Sequence, residues 1–160
     1  LAAQVLDRGA PLGDENGLDL IARLSEGQRL AVVGRFPHLQ EVRLNAEQSW
    51  VLELQPEGDE LPAAAAPDVL PQADVIGITG STFANGTLEG LLALCRRDAF
   101  VAVIGPTTPL SPVLFDYGVS VLCGAIGHDP QGMLEGVIAG GSSRRVSGMR
   151  QVSLRPERRR

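Results

Sequence analysis

Residues 74–85, DVIGITGSTFAN, join an apolar run of the kind buried in a sheet to a loop of small, polar and turn-forming residues. A loop of this composition at the C-terminal end of a strand is where open α/β sheets hold their ligands. Residues 100–112, FVAVIGPTTPLSP, repeat the arrangement, so two strand ends present Gly, Ser and Thr to one crevice. This pairing predicts a ligand site without saying what chemistry occurs there.

Three further apolar runs extend the pattern outward: RLAVVG at 29–34, WVLEL at 50–54 and the segment 119–122. Between them the periodicity predicts helices over 16–26, 38–45, 62–70 (Ala-rich and disturbed by Pro67), 87–97, 112–117 and 130–139. Short strands without polar alternation, each followed by a crossover helix, indicate a parallel sheet covered on both faces. The expected fold is therefore α/β, a Rossmann-like three-layer domain with five mostly parallel strands in the order 3-2-1-4-5. In that order the strand at 75–79 lies outboard and its loop reaches in from the edge. The alternative, a flavodoxin-like 2-1-3-4-5, moves Ser81 and Thr82 to the centre of the crevice.

A chain of 160 residues with 44% hydrophobic composition suits one domain. Residues 1–15, which begin at Leu1 rather than Met, read as a remnant or linker, 16–143 as the ligand-binding domain, and 144–160 as a tail. Residues 1–143 carry 18 acidic and 7 basic side chains, whereas 144–160 carry seven Arg and one Glu. The tail lacks an aromatic residue on which a base could stack, so a solvated or subunit-contacting role is expected rather than nucleic-acid binding. Alternation near 146–154 permits a short edge strand there. No signal-like or membrane-length apolar run occurs, and two cysteines make neither a disulfide scaffold nor a zinc cluster, which together predict a cytoplasmic protein.

The loops at the predicted strand ends supply the candidate ligand-binding residues: Gly34, Arg35, Gly80, Ser81, Thr82, Asn85, Gly105, Thr107, Thr108 and Ser111. Gly80 is read as a residue able to take a positive φ, and Ser111 as a cap before Pro112. Hydroxyls and helix-start amides at these ends favour an anionic group. The first loop, GRFPH, lacks the repeated glycines of a dinucleotide fingerprint, although Glu53 stands 19 residues after Gly34, where a ribose-binding carboxylate would sit. His38, Glu53 and Asp59 are candidates for proton transfer, and His38, His128 and Cys123 for metal ligation, though no recognised ligand spacing links them. The P-loop and nucleophile-elbow motifs are both missing.

The runs AVVGRFPHLQEVR (31–43), LELQPEGDELPAAAAPDVLPQADVIGITGSTFANGTLEGLL (52–92) and VAVIGPTTPLSPVLFDYGVSVLCGAIGHDP (101–130) resemble the DUF364 family of heavy-metal chelatase domains across about residues 19–144. The resemblance implies a Rossmann-like domain joined to a domain like the enolase N-terminal fold, with a site between them. It also implies a small-ligand or heavy-metal-chelate role and a cofactor that is a transition metal or a small anion. Carried over by position, it singles out Gly34, Pro37 and His38, then Glu53, Pro56 and Asp59, then Gly80, Ser81, Asn85, Gly86 and Thr87. In the following loop it marks Gly105, Pro106, Thr107, Pro109, Leu110 and Ser111. Arg35 stands where relatives commonly carry histidine, which weakens a paired-histidine metal site. Three functions stay open: a ligand or metal-chelate binding domain, an enzyme subunit acting on a metal-containing or nucleoside cofactor, and a structural interaction protein. An enolase-N-like partner domain or subunit, and a homo-oligomer or hetero-complex, are expected as partners.

Overall fold

Apolar strands spaced by helices close into one sheet in the computed structural model, which describes residues 12–139 and 148–156. The strands are β1 (Arg29–Val33), β2 (Gln48–Glu53), β3 (Leu61–Pro62), β4 (Val75–Thr79), β5 (Phe100–Ile104), β6 (Val121–Gly127) and β7 (Met149–Leu154). Their order is β3-β2-β1-β4-β5-β6-β7; the first six run parallel and β7 pairs antiparallel with β6. Helices α1 (Gly17–Leu24), α2 (Leu39–Arg43), α3 (Ala66–Val69), α4 (Ser81–Ala84), α5 (Leu88–Leu94) and α6 (Pro130–Ile138) alternate with them. None is long and apolar enough to cross a membrane, among the described residues.

Counted along the chain, the first five strands lie 3-2-1-4-5 as expected, but the sheet has two strands more and one of them is antiparallel. The identity of the third strand also needs correction. It is the two-residue Leu61–Pro62, inside a segment that reads as helix in the sequence. The remainder of that segment splits into a 3-10 turn at Ala63–Ala65 and α3, with Pro67 in the first turn, where the missing amide costs nothing. Val75–Thr79 is consequently not outboard of β2. It lies between β1 and β5, in register with Leu30–Val33 on one side and all of β5 on the other. This is the central position that the alternative order assigned to it.

Side-chain alternation along the strands divides the core into two layers. Ala31, Val33, Leu52, Ile76, Ile78, Val101 and Val103 face α3 and α5, whereas Leu30, Val32, Val51, Val75, Ala102 and Ile104 face α1 and α2. α1 starts where Asn16 accepts hydrogen bonds from the amides of Leu18 (2.9 Å) and Asp19 (3.4 Å), an N-cap that fixes its entry. Gly77 allows α1 to press against the sheet, since a Cβ there would stand 2.8 Å from Ile21 Cδ1.

Both ends of the described chain are tied to this sheet. β7 matches the edge strand permitted by the alternation, and Val152 and Leu154 are buried in the core. Gly13 forms an antiparallel bridge with Ser153, and Arg155 makes a bidentate pair with Glu15 at 2.8 and 3.0 Å. Gly13 and Glu15, within the segment 1–15, are thus joined to β7 and to Arg155. The remaining parts of the expected linker and tail, 1–11, 140–147 and 157–160, lie outside the described residues.

Candidate functional site

The connection leaving β1 passes through α2 on one face of the sheet, while the connection leaving β4 passes through α4 and α5 on the other. Adjacent strands whose crossovers diverge in this way leave a crevice at their C-terminal ends. Gly34, at φ +98°, turns the chain away from β1, and a Cβ there would stand 2.6 Å from Thr79 Cγ2. The contact between Gly34 and Thr79 therefore forms the floor of the crevice.

On the α3–α5 side of this floor lies a cavity of about 470 Å³. Its walls are apolar: Val33, Leu52, Leu54, Ala63, Ala66, Leu91 and Leu94. Its polar rim is made by Glu53, Thr79, Ser81, Thr82, Asn85 and Thr87. Thr79 and Ser81 share a hydroxyl hydrogen bond of 3.0 Å, and the Asn85 side-chain oxygen accepts from the amide (3.2 Å) and hydroxyl (2.7 Å) of Thr87. Thr82 turns its hydroxyl back to donate to the Thr79 carbonyl at 2.6 Å. Gly90 lines the cavity from within α5, and a Cβ built there would meet no atom within 4 Å. Neither Thr79 nor Gly90 stands out as a site residue in the sequence. An isolated glycine inside the helical run LEGLLAL was the available signal for the latter.

A second cavity, about 390 Å³, opens on the α1 side and is lined in part by Asn16, Arg35, Phe36, Thr79, Gly105 and Cys123. Thr79 thus borders both. The ten ligand-binding candidates divide accordingly. Gly34, Ser81, Thr82 and Asn85 line the first cavity, and Arg35 and Gly105 the second. Gly80, Thr107, Thr108 and Ser111 line neither.

Gly80 has a different task from the one expected. Its φ is −59°, so no left-handed conformation is involved. A Cβ at this position would stand 2.5 Å from the amide nitrogen of Thr108 and 2.6 Å from its Oγ1, so glycine permits the β4 and β5 loops to meet. Thr108 is fully buried beneath this contact, and its hydroxyl has no hydrogen-bond partner among the described residues. Ser111 makes no side-chain cap; the Pro112–Tyr117 turn that follows is a 3-10 helix. The helix expected over 87–97 contracts to the seven residues of α5, and Thr87 makes no capping bond to it.

The charged candidates are largely committed to one another. Arg35 donates to Glu60 at 2.6 and 3.0 Å and to Glu57 at 3.3 Å, and Arg43 donates to Asp59 at 2.7 Å. These bonds fasten the loop between β2 and β3 over the first turn of the crevice. The guanidinium of Arg43 holds the Asp59 carboxyl below its ordinary range, and Arg35 does the same to Glu60. Glu53 differs: its carboxylate accepts the Leu54 amide at 2.9 Å, and no ion pair engages it among the described residues.

The metal-ligand candidates do not converge. His38 is exposed at the start of α2, in the left-handed region at φ 59°, with Nδ1 3.4 Å from a Glu41 oxygen. Cys123 lies in the wall of the second cavity, and burial pushes its thiol up to about 11, so it is protonated at neutral pH. His128 sits beyond the end of β6, its amide donating to the Gly148 carbonyl at 2.8 Å. Among the described residues no three His, Cys, Asp or Glu side chains could hold a metal ion together. The donor set does not fit a resident metal.

Against this geometry, residues 16–155 match the family DUF364, described as "Putative heavy-metal chelation", and the chain belongs to that family. A crystal structure of a DUF364 protein of unknown function from Desulfitobacterium hafniense superposes with a TM-score of 0.76 at 29% identity. It matches 93% of this chain and 59% of its own. Another DUF364 protein of unknown function, from Pyrococcus horikoshii, superposes at 0.77 with 20% identity, over 90% of this chain and 60% of its own. This chain thus spans about three fifths of the length of each solved relative. A methionine aminotransferase, YbdL from Escherichia coli, shares the sheet architecture alone: TM-score 0.50, 10% identity, 94% and 42% coverage. No curated protein matches the chain.

Proposed function

We propose, with membership of the DUF364 family as the premise, that this chain is a binding domain for a small organic ligand, seated in the 470 Å³ cavity between β1, β2 and β4. The cavity itself supports this reading: apolar walls, a hydroxyl-rich rim, and glycine at position 90, where an added Cβ would meet no atom within 4 Å. Its volume falls in the range of small-molecule sites, and its place at the divergence of the crossovers is where open α/β sheets bind. The family description concerns heavy-metal chelation, yet the side chains present offer no convergent donor set. On this reading the cavity holds an organic molecule, with no metal bound directly by the described side chains. The two fifths of the solved relatives without counterpart here would contribute a partner domain above the same rim.

The test is ligand retention. Native mass spectrometry of the protein with metal ions, metal chelates and small aromatic compounds should detect organic adducts and no stoichiometric bare metal. Gly90→Leu, which fills the cavity from a position with free space, should abolish the adducts while the protein remains folded. Stoichiometric metal retention lost on changing His38 or Cys123 would overturn this reading in favour of direct coordination. A folded protein that retains nothing would favour a structural interaction role.

A further inference from the structure

We infer that the occupant of the crevice cavity is an unphosphorylated nucleoside whose vicinal ribose hydroxyls donate to the carboxylate of Glu53. This rests on the ligand-pocket reading above and adds the chemical class. Four acidic residues cluster at the end of β2 and in the loop that follows. Three of them, Glu57, Asp59 and Glu60, are paired with Arg35 or Arg43. Glu53 is the one of the four that lines the cavity, and its carboxylate accepts a hydrogen bond from the neighbouring Leu54 amide. An ionised carboxylate has about four acceptor sites, so one amide leaves room for two hydroxyl donors. A vicinal diol supplies two donors at the spacing of the two carboxylate oxygens.

The remainder of the lining selects the other half of the ligand. Leu52, Leu54, Ala63, Ala66, Leu91 and Leu94 form apolar walls suited to a flat ring. Ser81, Asn85 and Thr87 border the same cavity; the Ser81 hydroxyl pairs with Thr79 and the Thr87 hydroxyl donates to Asn85 Oδ1, which leaves the Asn85 amide donors and the hydroxyl lone pairs to suit the polar edge of a base. Charge excludes the phosphorylated forms. The lining includes a carboxylate and no Arg or His, so a phosphate would enter beside a like charge without a counter-ion. The nearby guanidinium, Arg35, is bound to Glu60 and Glu57 and borders the other cavity. The turn after β1 continues from Gly34 into Arg35, Phe36 and Pro37, without the glycines that bring backbone amides onto a pyrophosphate.

Calorimetric titration of the 160-residue chain with the four common ribonucleosides, their 2′,3′-dideoxy forms, adenosine monophosphate and a set of neutral aromatic fragments tests the inference. At least one ribonucleoside should bind, with its dideoxy form weaker on the order of tenfold to a hundredfold, the loss expected for hydrogen bonds to a charged acceptor. The monophosphate should bind no better than adenosine. Glu53→Gln should erase the preference for the diol while aromatic fragments still bind, and Gly90→Leu should abolish both. Fragments that bind, alongside nucleosides that do not or that ignore loss of the diol, would overturn the nucleoside assignment and leave the pocket standing. Tighter binding of the monophosphate would overturn it as well. A folded protein that binds neither fragments nor nucleosides would remove the pocket reading itself.

Discussion

Gly80 and Thr108 are a matched pair: the first has no side chain so that the second can be buried against it. Gly80→Ala would force a methyl to within 2.6 Å of Thr108 Oγ1 and 2.5 Å of a backbone nitrogen that cannot rotate away. The expected cost is about 1–3 kcal/mol, typical of overpacking, read as a lower urea midpoint. Thr108→Val makes the opposite test. The hydroxyl is buried without a partner among the described residues, so replacing it with a methyl of similar shape should leave stability unchanged or raise it. A loss of more than about 1 kcal/mol would mean that the hydroxyl has a partner, such as a bound water. The importance of Gly80 was legible in GITGST, but its reason was not. A glycine required by a positive φ and one required by a close approach look identical in sequence, and here the φ is ordinary. The place of Glu53 at the end of its strand was legible because strand and spacing follow from local pattern. The pairs that Arg35 and Arg43 make with Glu57, Glu60 and Asp59 depend on a loop fold that no local pattern encodes.

At the scale of elements, β4 holds the sheet together at both of its ends. Its C-terminal end carries Thr79 and Gly80; just before its N-terminal end stands Asp74. The Asp74 carboxylate accepts from Arg29 Nε (2.8 Å) and Nη2 (2.9 Å), from the Arg29 amide (3.1 Å) and from Arg96 Nη2 (2.9 Å). It thereby clasps the start of β1 to the segment that enters β5. These donors, Arg29 foremost, hold the Asp74 carboxyl well below its ordinary range. A carboxyl whose folded value is depressed stabilises fully above its unfolded pKa of about 3.9, and the contribution is lost as pH falls toward the folded value. Asp74→Asn should therefore lower stability by about 2 kcal/mol near neutral pH, with the gap to wild type closing below about pH 4. Parallel urea titrations at several pH values read this directly, and a gap that persists unchanged at low pH would refute the charge account. The turn before β4 looks like an ordinary surface turn in sequence, and the clasp was invisible because its partners are 45 and 22 residues away. Strand identity was legible for the longer apolar runs, whereas β3 was hidden by its length of two residues and its proline.

Over the whole molecule, two devices join the described ends, and magnitudes decide between them. The Glu15–Arg155 pair is bidentate, but its side chains are 36% and 45% exposed, and pairs of that kind contribute about 0–1 kcal/mol. β7, in contrast, covers the open edge of β6 through six register pairs and inserts Val152 and Leu154 at 0% and 2% exposure. Burying such side chains is worth about 1.5–3 kcal/mol each. The strand, and not the ion pair, should therefore anchor the end of the chain. Val152→Ala is expected to cost on the order of 2 kcal/mol, combining lost transfer energy with the cavity left behind, whereas Arg155→Gln should cost less than about 1 kcal/mol. Removing residues 148–160 would go further, since it uncovers the hydrogen-bonding edge of β6, a template for pairing with another chain. Sedimentation of that truncated form should reveal concentration-dependent association beyond that of the Arg155→Gln variant. Equal destabilisation by the two substitutions, with a truncated form that stays monomeric and stable, would mean that the arginine-rich end is held by charge and that β7 is dispensable to the sheet.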